Sequence, residues 1–303
     1  MAADRVPSRG LGAPPKRAGS GFRWSGRATK IIATILLAAV WPPRPACADQ
    51  AAAAETREQT ISRELKSAED QTLLERRAWL ETEWNKFKDG SSGIEETLGG
   101  LSSWRVSSNQ DWAVRIKLPY AWHVAGNTAG DSDLNGLGDI ALATGTAVRL
   151  GESWRVGGGL ELRMPSGSEP DLSDNVWRLQ EFGAVAWDAT KNLTLSPSFE
   201  HNESLAEELG ASPVHFLEMF VPATVGLPQR WSATAKYETK VDFENDNTWT
   251  HSAKLAIAKE LERVPLSFTL SIKIPFDGGE KKFQVNFKVT WFFRSKAPSA
   301  EGK

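Results

Sequence analysis

From about residue 111 to residue 293, apolar and polar side chains alternate in about ten successive runs. The stretch 264–276 shows this plainly. Val264, Leu266, Phe268, Leu270, Ile272, Ile274 and Phe276 are apolar, and the residues between them are polar or proline. Successive side chains of a strand leave on opposite faces, so each run has one greasy and one wet face. Phe283, Val285, Phe287, Val289 and Trp291 repeat the pattern against Gln284, Asn286, Lys288 and Thr290. Trp231, Ala233, Ala235, Tyr237 and Val241 do so against Ser232, Thr234, Lys236, Glu238 and Lys240. The runs predict strands near 111–124, 139–150, 154–164, 176–187, 193–201, 214–227, 231–243, 248–258, 264–276 and 281–293. Their connections alternate between long polar stretches (125–138, 165–175, 202–213) and tight ones (151–153, 188–192, 228–230).

A soluble sandwich alternates too, so the placement of the aromatics decides. Trp112, Trp154, Trp187, Trp231, Trp291 and Phe293 fall at one set of strand ends, and Tyr120, Trp122, Trp177, Phe243, Trp249 and Phe276 at the other. By parity all of them lie on the apolar face, whereas a sandwich core would hold its aromatics mid-strand. Two girdles and alternating loop lengths mark an outer-membrane barrel with short periplasmic turns and long outer loops. The expected fold is therefore all-β, an antiparallel transmembrane β-barrel of about ten strands in the outer membrane of a Gram-negative bacterium. Twelve strands result if the region around Trp104 contributes one and the segment 213–228 splits.

The chain has 303 residues and a net charge of −2, which suits one domain with appendages and is not basic enough for nucleic acid. Residues 31–41 (IIATILLAAVW) have the length of a signal-peptide core. A basic leader precedes them and Ala46-Cys47-Ala48 follows. Residues 1–48 thus read as a signal peptide, and the single cysteine, Cys47, leaves with it. Residues 51–88 lack Gly and Pro, are rich in Ala, Glu, Arg, Lys and Leu, and predict an amphipathic helix with a broken stripe of Ile61, Leu65, Leu73, Leu80, Trp84 and Phe87. Such a helix lies on the domain, self-associates, or plugs the barrel mouth. Residues 49–110 then form a periplasmic helix and linker, 111–293 the barrel, and 294–303 a polar tail.

Inner-face parity collects Arg115, Lys117, His123, Arg149, Arg155, Glu161, Arg163, Arg178, Lys236, Glu238, Lys240, Asp242, Lys254, Lys273 and Lys288. Cations outnumber acids in this set. In a narrow wet pore such a lining favours anions; alternatively the charges pair off and fill the barrel. Of the four histidines only His123 faces inward by parity, and none has a His-x-x-x-His spacing. With no Gly-x-Ser-x-Gly elbow and no phosphate-cradling loop, no catalytic, cofactor or metal site is predicted. His201-Asn202-Glu203-Ser204 is the one tract where a lipid-modifying enzyme at the outer rim would need its groups.

Asn135-Gly136-Leu137-Gly138-Asp139-Ile140, followed by Leu160-Glu161-Leu162-Arg163-Met164-Pro165-Ser166-Gly167-Ser168, resembles the outer-membrane transporter family grouped under the MetA pathway of phenol degradation. The resemblance spans about residues 111–293 and rests on short motifs. It implies a porin-like barrel that passes small, often aromatic or hydrophobic solutes, with membrane lipid and lipopolysaccharide around it. The chain departs from that pattern in the helix ahead of the barrel and in the tail after Phe293. Two other roles stay open, an anchor for the helix and the rim enzyme.

Overall fold

The computed structural model describes residues 70–125, 135–169, 172–208, 210–277 and 281–293. The signal peptide, most of the expected helix and the polar tail lie outside the described residues. The strands are β1 (Arg77–Phe87), β2 (Ser92–Ser107), β3 (Gln110–Ala125), β4 (Gly136–Leu137), β5 (Ala141–Leu150), β6 (Trp154–Arg163) and β7 (Val176–Asp188). They continue as β8 (Leu193–Leu195), β9 (Ser198–Glu207), β10 (His215–Leu227), β11 (Trp231–Asp242), β12 (Thr248–Glu260), β13 (Leu266–Asp277) and β14 (Lys281–Phe292). Each pairs antiparallel with its neighbours, and β1 pairs with both β2 and β14, so the sheet closes.

The result is a 12-strand barrel. β4 is a two-residue rung on β3. β8 and β9 are one crossing interrupted at Ser196-Pro197, where proline brings no amide to the ladder.

The surface is inside out relative to a soluble protein. Leu255 (59%), Phe276 (62%), Leu98 and Trp249 are exposed outside, while Glu161 (1%), Glu260, Asn202 and Thr194 are buried inside. Strand parity alone produces this, because water stays in the interior and the outer face meets hydrocarbon. Trp154, Trp187, Trp231, Trp291 and Phe293 are exposed near one rim, and Phe243, Trp249 and Phe276 near the other, as the two girdles require. The side chain of Trp122 lies outside the described residues.

Two expectations need correction. The barrel begins at Arg77 rather than residue 111, because β1 and β2 occupy the end of the expected helix and its linker. The reason is numerical. Leu80 and Trp84 are four apart, a spacing that keeps two side chains on one helix face and also on one strand face. Both are exposed outward, whereas Trp79, Glu81, Glu83 and Asn85 turn inward, so the charges that looked like a solvated helix flank are an interior lining. The strand count is the twelve of the wider expectation, with the Trp104 region contributing β2 as expected, but the other added strand is β1 and not a split of 213–228, since β10 runs unbroken over that stretch.

Candidate functional site: the barrel interior

Just ahead of β1 the chain turns into the barrel. Asp70 begins a tight turn in which its Oδ1 accepts from the Thr72 amide (2.8 Å) and the Thr72 hydroxyl (2.6 Å). Arg155, at the periplasmic end of β6, holds this turn. Its guanidinium reaches Asp70 (2.9 Å), Thr72 Oγ1 (3.2 Å) and Asp188 (2.5 Å). Gln71 extends further and donates to Glu200 Oε1 (2.9 Å). Leu74 packs on Trp79, Leu101 and Ala113, the buried apolar cluster of the interior. Small wall residues lie beside the segment. Gly157 abuts it, where an added Cβ would be in ordinary contact with the Thr72 methyl at 3.5 Å, and on the first strands Gly99 leaves the room that the Trp79 indole fills, since a Cβ there would overlap it at 2.1 Å.

Most of the sequence-predicted interior residues come together in paired clusters. Glu161 is ligated by Arg115 (2.6 Å) and Lys117 (3.2 Å), with Arg163 at 3.9 Å. Glu238 binds Lys236 (2.9 Å) and Lys273 and accepts from Ser252 (3.2 Å). Arg178 pairs with Asp174 (2.9 Å), Arg149 with Asp111 (2.8 Å), and Lys288 with Glu81 (3.2 Å). Lys254 stands between Lys236 and Lys273 in the register. Lys240 lies opposite Glu218, and Asp242 opposite Phe216. His123 pairs in the backbone with Ile94 across a bulge, and its side chain lies outside the described residues.

The sequence list was short of acids. Glu81, Glu83 and Glu95 sat in the stretch assigned to helix and linker. Glu200 and Glu218, by contrast, follow the same parity that selected the lysines. With them counted, the lining is mixed in charge rather than cationic. Pairing of this kind stabilises buried charges only when both partners stay in place.

Space remains between the clusters. A cavity of about 410 Å³ lies around Gln71, Trp79, Arg115, Phe182, Phe220 and Lys236, and one of about 590 Å³ lies toward the outer end around Phe87, Phe220, Glu238, Lys240 and Lys273. Phe220 lines both, with Lys236 on the wall of the first and Glu238 on the wall of the second. Aromatic faces carry cations throughout this space. Lys240 Nζ is 3.8 Å from the Phe216 centroid and Lys236 Nζ 4.9 Å from that of Phe220, while the Arg115 guanidinium is 5.6 Å from Phe182.

The two glycine motifs meet at the outer mouth. Asp139 accepts from the amides of Ser166 (3.0 Å), Gly167 (3.1 Å) and Asp174 (2.9 Å), and Ser166 Oγ accepts from the Ile140 amide (2.9 Å). A Cβ at Gly136 would strike Ser168 Oγ at 2.0 Å, and one at Gly167 would meet Ser173 Cβ at 2.8 Å. The motifs are therefore two halves of one clamp, which folds the connection between β6 and β7 over a cavity of about 340 Å³ beside Glu95 and Arg163.

The rim tract weighed for hydrolysis is turned apart. Ser204 Oγ accepts from the Val214 amide (2.6 Å), and Asn202 is buried inside. His201 instead turns outward to His215 (3.2 Å).

An antiparallel closed wall with a polar interior and an apolar belt between aromatic rims is the architecture of one class of proteins. This chain has the fold of a Gram-negative outer-membrane β-barrel. The COG4313 outer membrane channel from Pseudomonas putida F1 is similar, with a TM-score of 0.62 at 12% identity over 72% of this chain and 95% of that one. The NanC porin aligns with a TM-score of 0.52 at 12% identity over 72% and 100%. The translocator domain of the autotransporter NalP from Neisseria meningitidis aligns with a TM-score of 0.51 at 11% identity over 78% and 95%. At such identities the likeness establishes the fold. No protein-family model and no curated protein matches the sequence, so the phenol-degradation grouping rests on the glycine motifs alone.

Proposed function

We propose that this barrel is a passive, selective channel for small solutes that join a flat apolar body to an anionic group. The observation that carries this reading is the set of cations poised over interior aromatic faces, Lys240 on Phe216 and Lys236 on Phe220 foremost. A carboxylate or phenolate would draw the cation toward itself while its ring stacks on the aromatic face the cation covered. The mixed lining argues against a general porin, because every transit must pass closely spaced, mutually paired charges. The two chambers place one such station near the outer mouth and one deeper. The segment 70–76 narrows the deeper one from the periplasmic side, so the path is restricted where the chain enters its own barrel.

The test is solute flux into liposomes carrying the purified mature chain, beside a chain that begins at Arg77 and so keeps all the barrel strands. Aromatic carboxylates, neutral sugars of similar size and aromatic amines form the panel. Aromatic carboxylates should enter fastest, and the shortened chain should pass all three classes several-fold faster. Equal rates for sugars and carboxylates through barrels of folded, heat-modifiable mobility would remove the selectivity. An absence of flux from both chains would remove the channel.

A further inference from the structure

On the outer surface, near the outer rim, β7, β9 and β10 bring together residues that are far apart in sequence. Glu181 is directly opposite His201 across the β7–β9 ladder, and Glu203 is directly opposite His215 across β9–β10. Residues opposite each other in an antiparallel pair share a face, and diagonal neighbours remain within reach of long or ring side chains. His201 and His215 are such a diagonal pair. Their Nε2 atoms are 3.2 Å apart and their rings nearly perpendicular, at 79°. His201 Nδ1 lies 3.6 Å from Glu181 Oε2. The His215 ring also rests against Phe243, with centroids 4.6 Å apart, which holds it in place from the other side.

We infer that His201 and His215 form a two-nitrogen site for a divalent transition-metal ion, Cu²⁺ or Zn²⁺, on the outward face of the barrel near its outer rim. Imidazole nitrogens bind such ions at about 2.0–2.1 Å, so two of them around one ion, at angles between square and tetrahedral, stand roughly 2.9–3.4 Å apart. The observed separation falls in that window. Both nitrogens must present lone pairs, which requires each ring to carry its proton on Nδ1. Glu181 faces that Nδ1 at 3.6 Å, just outside hydrogen-bond reach, and would complete the carboxylate–histidine–metal relay that orients ligating imidazoles by closing the gap. On coordination the ion takes the place of the proton between the two Nε2 atoms, and the ring that carried it holds its proton on Nδ1 instead, so both imidazoles remain neutral ligands. Glu203 shares the face by register without joining the pair, and water fills the rest of the shell. Among the described residues no group of three or more His, Cys, Asp and Glu side chains is gathered tightly enough to hold a metal unaided, so the site is an open one. Sequence spacing hides it because thirteen residues, including the connection 208–214, separate the two histidines. Because the ligands come from neighbouring strands, an ion there also ties β9 to β10 at the rim.

The test uses the folded full-length mature protein in detergent micelles, titrated with Cu²⁺ and read by electron paramagnetic resonance. Coupling to two imidazole nitrogens is expected at one equivalent. His201→Asn and His215→Asn should each lose that signature, and Glu181→Gln should weaken binding about 10-fold to 100-fold with the two-nitrogen pattern kept. Zn²⁺ should raise the unfolding temperature of the wild type and leave that of His201→Asn unmoved, because ligands of the folded state stabilise it by mass action. The inference is overturned if the double variant His201→Asn/His215→Asn binds as tightly as the wild type. It is equally overturned if the wild type shows one nitrogen or none, which would leave the pair as a hydrogen bond only.

Discussion

The two sides of the barrel wall treat the interior in opposite ways. Across β5, β6 and β7 the inward positions include Ala141, Ala143, Gly145, Ala147, Gly157, Gly159, Ala184 and Ala186. Across β11 to β14 they include Thr234, Lys236, Glu238, Lys254, Ser271, Lys273, Asn286 and Lys288. The middle of the first wall is defined by missing volume, between charged ends that hold Arg149 and Arg155 on one side and Glu161, Arg163 and Arg178 on the other. Phe182 and the turn of Asp70 to Thr72 lie in the space it leaves. The second wall is defined by charge, with acids and lysines bridging neighbouring strands. A barrel closed evenly by its own side chains would need neither asymmetry. The difference fits a barrel in which the middle of one wall receives a piece of the chain and the opposite wall is lined by paired charges.

The sharpest way to break that comparison is to put volume on the small wall. A Cβ at Gly159 would lie 2.1 Å from the Thr144 carbonyl oxygen and 2.6 Å from Gly145 Cα, and backbone cannot step aside as a flexible side chain can. Gly159→Val should cost more than about 3 kcal/mol, beyond the usual range for overpacked cores, and should strongly reduce the folded band in heat-modifiable electrophoresis. Thr234→Val on the charged wall is nearly isosteric and loses one hydroxyl contact, to Thr224 (2.9 Å), worth about 1 kcal/mol. Denaturant midpoints that rank the two variants the other way would end the claim that volume governs one wall and polarity the other.

The next effect concerns the docked segment. Asp70 is 2% exposed, and Arg155 is the cation that the structure sets against it. Arg155→Met keeps the length of the side chain and removes the charge, leaving Asp70 and Asp188 facing each other without it. Breaking one side of a buried pair costs about 3–5 kcal/mol, and the segment escapes that cost by leaving the barrel. Limited proteolysis should then cleave near residues 70–76 in the variant and spare the wild type. Conductance should rise while the barrel keeps its folded mobility. Protection of the segment in both proteins would show that apolar packing of Leu74 on Trp79 suffices to hold it.

Parity made most of the wall legible in the sequence. Apolar residues two apart, such as Leu270, Ile272 and Ile274, report a strand with one apolar face, and the aromatics at the strand ends mark that face as the lipid-facing one. Where the period was ambiguous the reading failed. Leu80 and Trp84 satisfied helix and strand alike, and the Ala-rich, acid-rich stretch before them tipped the choice toward helix. The interior charges were found one strand at a time, but their pairing was not, because Glu161 meets Arg115 and Lys117 only through the register of β3, β5 and β6. The Gly-Leu-Gly-Asp and Met-Pro-Ser-Gly motifs were visible as strings, while the reason for both was not. They touch, and Asp139 holds the second motif by its amides. The histidine pair was out of reach for the same reason, since adjacency across a hairpin follows from register and not from spacing.

The smallest effect belongs to the charged wall. Glu238 is buried and is the counter-ion for Lys236 and Lys273, with Lys254 between them in the register. Glu238→Gln keeps the shape and the ability to accept from Ser252, so the barrel should lose on the order of 1–2 kcal/mol rather than unfold, since a neutral acceptor still meets part of the lysines' hydrogen-bonding need. Its larger consequence is electrical. Removing one negative charge from the wall of the outer cavity, opposite Phe220 in the register, leaves several lysines around a narrow polar path, and the local field then favours anions more strongly. The reversal potential under a potassium chloride gradient should shift toward chloride in the variant, and flux of aromatic carboxylates should rise relative to amines. The matching substitution on the small wall, Ala184→Ser, should leave the reversal potential in place. If both variants shifted it alike, charge on the wall of the outer cavity would not be what distinguishes the two walls.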